Sequence, residues 1–163
     1  MIGRFVAVVG PSGVGKDSVK QAFVLEPNVV LARRIITRPA VGGAEDFEGV
    51  SDTAFDLLRQ ADAFALHWSA HGLRYAIPRS VDRDIAAGRD VLGNISRGMI
   101  AEAAARFARF EVISLTASRT SLAQRLSVRA REDAADIARR LDRPSFDFPC
   151  GVKVHHIVNE GTL

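Results

Sequence analysis

A single α/β domain with a parallel sheet packed between helices is the fold this sequence predicts, and three observations carry the prediction. The run FVAVV from Phe5 to Val9 is continuously apolar and rich in valine and ends in a glycine turn, as a strand buried on both faces does. Strand-like and helix-like segments then alternate along the chain, the order that builds parallel strands with crossover helices. With 163 residues, 47% apolar and 25% charged, the chain can bury one sizeable core and has no room for a second full domain.

Taken in order, a helix is expected from about Lys16 to Leu25 and a second strand over Val29 to Ile36. Thr37 to Val50 contains Pro39, Gly42, Gly43 and Gly49 and reads as loop. Ser51 is placed to cap a helix running to about Gln60. Phe64 to Tyr75 alternates apolar and polar residues, which suggests a hairpin or short strands around His71-Gly72. Asp82 to Ala87 reads as a short helix, Val91 to Ile95 as a buried strand, the alanine-rich Met99 to Phe107 as a helix, and Glu111 to Thr116 as a strand. Ser121 to about Arg131 and Ala134 to Arg143 are helical, and Val154 to Val158 closes the sheet. No repeat or low-complexity linker interrupts this order.

Composition narrows the setting. Cys150 is the only cysteine, so no intrachain disulfide forms and cytoplasm is the default location. The opening MIGRFVAVVG has no long apolar stretch followed by a small-residue cleavage site, and nowhere does the chain approach the ~20 continuous apolar residues of a membrane span. Lys16, Lys20 and Lys153 are the only lysines, so nearly all positive charge is arginine, whose planar fork suits phosphate oxygens. A net charge of +3 fits an enzyme with anionic ligands better than a nucleic-acid-binding protein.

The strongest chemical signal is Gly10, Pro11, Ser12, Gly13, Val14, Gly15 and Lys16, directly after a strand and before a helix, the context a phosphate-binding loop requires. Glycines let backbone amides turn inward, the helix start adds positive potential, and Lys16 can reach the β and γ phosphates of ATP. Where such loops usually place a Ser or Thr on Mg²⁺, this chain has Asp17, followed by Ser18. Two readings of Asp17 stand side by side: a hard oxygen ligand for Mg²⁺, or an acid that favours the first turn of its helix through the dipole.

Together, GPSGVGK, the ITRP at Ile36 to Pro39, the pairs His67-Trp68 and Arg74-Tyr75, and the arginine-rich RLSVRAREDAADIARRL resemble guanylate kinases over almost the whole chain. The segments GPSGVGKDS, GGAEDFEGVS and ALHWSAHGLRYAIP resemble most closely the ribose 1,5-bisphosphate phosphokinases of phosphonate breakdown, which make 5-phosphoribosyl diphosphate from ATP and ribose 1,5-bisphosphate. The resemblance implies a three-layer nucleoside-monophosphate-kinase-like fold. Its core would comprise 1–33, 88–120 and 150–163, with an acceptor-binding region of about 34–87 and a lid of about 121–149.

It also implies roles for single residues. Arg34 stands where guanylate kinases read guanine with a serine, and His67 where they use a glutamate, so GMP should be a poor substrate. Positive or switchable groups at those places suit a ligand with phosphate at both ends. Thr37, Arg38, Tyr75, Ser96 and Arg97 complete the implied acceptor site, with Phe47 replacing a phosphate-binding tyrosine. Two aspartates of guanylate kinases become Asn94 and Ser96, so the implied metal site falls to Asp17 and Ser18. Arg125 and Arg129 lie four apart on one helical face, Arg140 follows on the next helix, and by resemblance all three close over ATP and the acceptor as catalytic cations. Asn159 resembles a position near adenine. The expected partners are ATP and a small phosphorylated sugar, with no nucleic acid and no membrane. Two rivals are a guanylate or other monophosphate kinase and a noncatalytic interaction module; the intact Lys16 loop and the lid arginines argue against the second. The resemblance further implies a C-terminal helix after VNEG that this sequence does not include, so thinner cover over one sheet face or the adenine pocket is expected.

Overall fold

The computed structural model describes residues 1–39, 46–128 and 146–161. In chain order the strands are β1 (Phe5–Val9), β2 (Val29–Leu31), β3 (Arg34–Ile36), β4 (Phe47–Gly49), β5 (Phe64–Ala70), β6 (Leu73–Pro78), β7 (Asp90–Asn94), β8 (Phe110–Thr116) and β9 (Lys153–Val158). The helices are α1 (Lys16–Ala22), α2 (Asp52–Gln60), α3 (Val81–Ala86), α4 (Ile100–Arg106) and α5 (Arg119–Val128), with a 3₁₀ turn over Arg97–Met99.

A five-stranded sheet in the order β2-β7-β1-β8-β9 forms the base, and every neighbouring pair in it is parallel. All five residues of β1 are buried because the strand is central and covered on both faces. Its alternate residues feed opposite sides: Phe5, Ala7 and Val9 join a cluster with Val91, Ile100 and Phe107, whereas Val6 and Val8 join Val14, Leu92, Leu115 and Leu122. Phe5 and Phe107 stack with centroids 4.5 Å apart.

A second, four-stranded sheet in the order β4-β3-β6-β5 is antiparallel except for β3 and β4. It holds its own cluster of Ile35, Phe55, Phe64 and Ala76 under α2, while Leu66 and Ile77 tie it to the larger core. Ser51 caps α2 as expected, its Oγ accepting from the Ala54 amide at 3.1 Å.

The sequence reading differs from the structure at several elements. The single strand expected over Val29 to Ile36 is two strands in two sheets. The Ala32 amide donates to the Leu92 carbonyl at 2.8 Å, the last such bond on the β7 side, and Arg34 already pairs with Phe47. The expected loop before Ser51 contains β4, short because only three residues pair with β3. Helix α1 stops at Ala22, and tight turns rather than helix carry the chain to Glu26. The hairpin of β5 and β6 turns at His71-Gly72 as expected. The helix expected at Ala134 to Arg143 lies outside the described residues. No helix among the described residues is long and apolar enough to cross a membrane.

Candidate active site

The loop after β1 owes its path to glycine at two positions. Gly15, the residue before α1, has φ 94°, a left-handed conformation that side chains disfavour. At Gly10, an added Cβ would stand 2.6 Å from the Leu115 carbonyl oxygen, so the loop can pass only as bare backbone. Lys16 turns back over this loop, and its Nζ donates to the carbonyls of Gly10 and Pro11, both at 3.0 Å.

Facing the loop across a cleft of about 560 Å³ is the four-stranded sheet. The cleft brings together nine of the expected residues: Gly10, Pro11, Ser12 and Lys16 on one side, and Arg34, Arg38, Tyr75, Ser96 and Arg97 around the rest. Arg34 lies over the Tyr75 ring at 5.2 Å, and Tyr75 stacks on Trp68 at 5.5 Å with the rings 9° from parallel. This cation–aromatic stack holds a long side chain against the wall. Arg38 lies 4.4 Å over the ring of Phe47, which offers a π face where a tyrosine was the alternative. Among the described residues, four Lys or Arg side chains line the cleft and no carboxylate does.

Behind this surface sits a buried polar cluster. Asp17 Oδ1 accepts from Lys20 Nζ at 3.1 Å and from Asn94 Nδ2 at 3.0 Å. Lys20 and Asn94 are 6% and 2% exposed. The Asp17 carboxylate only accepts, so the Asn94 amide must direct its NH₂ there, which fixes its Oδ1 the other way. That buried oxygen has no hydrogen-bond partner among the described residues, and Asn94 lines the cleft. A carboxylate and a locked amide oxygen are the hard donors Mg²⁺ takes, and Mg²⁺ completes its shell with water and phosphate rather than an all-protein cage.

No family model matches the chain. A curated ribose 1,5-bisphosphate phosphokinase PhnN from Ruegeria sp. (strain TM1040) is 48% identical over 163 residues, spanning 99% of this chain and 86% of the relative. The chain belongs to the ribose 1,5-bisphosphate phosphokinase family. A second member, from Acidiphilium cryptum (strain JF-5), is 51% identical over 145 residues, covering 86% of this chain and 77% of its own. In fold, the chain is similar to the guanylate kinase of Anaplasma phagocytophilum, with a TM-score of 0.65 at 19% identity over 98% of this chain and 78% of that one.

Other expected residues of this phosphokinase-family chain fall elsewhere. His67 does not line the cleft: side chains alternate along β5, Trp68 takes the cleft face, and His67 is exposed beside Phe64, with ring centroids 6.2 Å apart. His67 thus stands apart from Arg34, which the cleft wall includes. Ser18, expected on the metal, is exposed and off the cleft wall. Thr37 spends its hydroxyl on the Arg74 amide at 2.9 Å, locking β3 to β6. Arg125 does not line the cleft but grips backbone: its Nη2 donates to the carbonyls of Asn159 at 3.0 Å and Gly161 at 2.6 Å. Asn159 in turn donates from Nδ2 to the Val14 carbonyl at 2.9 Å, so both residues fasten the end of β9 to the phosphate loop. Gly13 and Val14 are buried within that loop. Arg129 and Arg140 lie outside the described residues.

Sequence reasoning missed Trp68, His71 and Asn94 in the cleft wall. Strand alternation signals Trp68 once the hairpin register is known. The other two depend on turn geometry and on a contact across 77 residues of chain.

Proposed function

We propose that the protein transfers the γ-phosphoryl group of ATP to the 1-phosphate of ribose 1,5-bisphosphate, giving 5-phosphoribosyl 1-diphosphate and ADP. The observation that carries this reading is the cleft itself, in which a phosphate-binding loop faces Arg34, Arg38 and Arg97. Such a surface suits an acceptor anionic at both ends. The names of the relatives, ribose 1,5-bisphosphate phosphokinases, support the same substrate.

In this reading the loop amides and Lys16 hold the β and γ phosphates, with Lys16 exchanging its carbonyl partners for phosphate oxygens. Arg34, Arg38 and Arg97 orient the acceptor so that one phosphate oxygen lies in line with the γ phosphorus. That oxygen is already nucleophilic, so no general base is needed, and positioning plus charge stabilisation carry the rate. Asp17 and Asn94 are the residues that would hold Mg²⁺, which supplies charge neutralisation across the phosphates when bound. Residues 34–87 form the acceptor region, and 121–149 the lid, where Arg129 and Arg140 would close over the transferring group and exclude water.

Phosphorus NMR of the purified protein with Mg·ATP tests the proposal. Diphosphate resonances of 5-phosphoribosyl 1-diphosphate are expected with ribose 1,5-bisphosphate and no GDP with GMP. GDP formation with the bisphosphate inert would overturn it.

A further inference from the structure

Resting on that reading of the cleft, we infer that His71, at the tip of the β5–β6 hairpin, is a specificity-determining residue that contacts the phosphorylated sugar. Ala70 pairs with Leu73, so His71 and Gly72 form a two-residue turn, and both have positive φ, 52° and 72°. That is the pattern of a type I′ turn, whose first position favours Asn, Asp or Gly. Glycine at 72 answers to backbone conformation alone, because an added Cβ there meets nothing within 4 Å. Histidine tolerates positive φ but is not among the Asn, Asp and Gly that dominate this turn position, so the turn alone does not call for imidazole at 71.

The cleft does give one. His71 lines it, and so do Ala70 and Leu73 on either side, so the tip of the hairpin stands over the cavity opposite the phosphate loop. Strained residues that persist over a ligand cavity point to a role in binding. Trp68 and Tyr75 pair two residues back from this tip, and Arg34 and Arg38 come from β3 and the segment after it. A neutral imidazole carries one N–H donor and one acceptor nitrogen, so it can serve a phosphate oxygen and a sugar hydroxyl alike. Arginine cannot accept, and its charge already abounds in this cleft.

His71→Asn and His71→Gly separate turn from ligand, since both residues are at home in the turn and neither reproduces the reach of imidazole. Steady-state kinetics with ribose 1,5-bisphosphate and Mg·ATP are read beside thermal melting of the same proteins. The expected result is a melting temperature equal to or above wild type, a KM for the bisphosphate raised about tenfold or more, and an ATP KM within about twofold. An unchanged bisphosphate KM in both variants would overturn the inference and leave His71 a surface turn residue. A rise in the ATP KM alone would overturn it too, assigning the side chain to the nucleotide. If the wild-type protein turns over GMP and not the bisphosphate, the proposed function itself fails, an outcome distinct from both.

Discussion

Arg34 shows how much one side chain owes to its neighbours. It opens β3, and the Tyr75–Trp68 stack beneath it confines a guanidinium that would otherwise sample many rotamers. Arg34→Met is expected to raise the KM for the phosphorylated sugar about 10- to 100-fold, the range for losing a charged hydrogen bond, with the ATP KM nearly unchanged. Arg34→Lys should fall between, because an ammonium keeps the charge and loses the stacked planar fork. Comparable losses for both substrates would place Arg34 in folding rather than recognition. At Asp17, Asp17→Asn is expected to raise the Mg²⁺ concentration for half-maximal binding of ADP about tenfold; titration calorimetry across a magnesium series reads this directly, and no change would confine Asp17 to pairing with Lys20. Residues were legible in the sequence where a local motif places them: the glycine loop with Lys16, and Arg34 and Arg38 in and just before the ITRP segment. His67 was not, since a single-residue difference in hairpin register decides which of two adjacent side chains enters the cleft. Asn94 was not either, because its meaning lies in the carboxylate it faces across the fold.

Among the elements, α1 and α2 draw their stability from different sources. Helix α2 begins on a side-chain cap, and Ser51→Ala should cost about 1 kcal/mol and lower the melting temperature by about 2–4 °C. Helix α1 has no side-chain cap at Gly15 and is only seven residues long, too short to persist alone. Part of its anchorage is Lys20, whose buried ammonium meets Asp17 one turn back. Lys20→Met fits the space and leaves the carboxylate to Asn94 and water, and chemical denaturation is expected to show roughly 3 kcal/mol lost, near the lower end for a broken buried pair because Asp17 stays partly wet. A neutral outcome would mean that water replaces the ammonium without cost. The elements most readable in the sequence are those with one unbroken pattern, such as β1, β8 and the capped α2. The segment from Val29 to Ile36 was misread because its apolar pattern continues through Ala32 while its hydrogen-bond partners change sheets, and periodicity carries no record of partners.

Across the whole molecule, one charged ladder crosses four strands of the parallel sheet. Arg4, just ahead of β1, bonds Asp90 of β7 and Glu111 of β8, each at 2.8 Å; Glu111 then meets His155 of β9 at 2.7 Å. The His155 bond first, and Arg4 and Lys153 with it, hold the Glu111 carboxyl down at about 2, against an ordinary 4.5. A depressed carboxyl stabilises the fold fully above its unfolded value and loses that contribution as it is protonated. Stability from Glu111 should therefore fall as pH drops from about 4.5 toward 2. Glu111→Gln is expected to flatten that part of the pH–stability curve in denaturant titrations, and an unaltered acid limb would assign it to other carboxylates. At this scale the sequence conveyed the parallel sheet and its helices, whereas the ladder, built from groups up to 107 residues apart, had no local signature. The four cations that line the cleft among the described residues have a practical corollary. Any small oxyanion that relieves their mutual repulsion binds the folded state and raises its melting point by mass action, while occupying the groups the substrates need. Phosphate or sulfate in a buffer should therefore make the protein sturdier and slower at once.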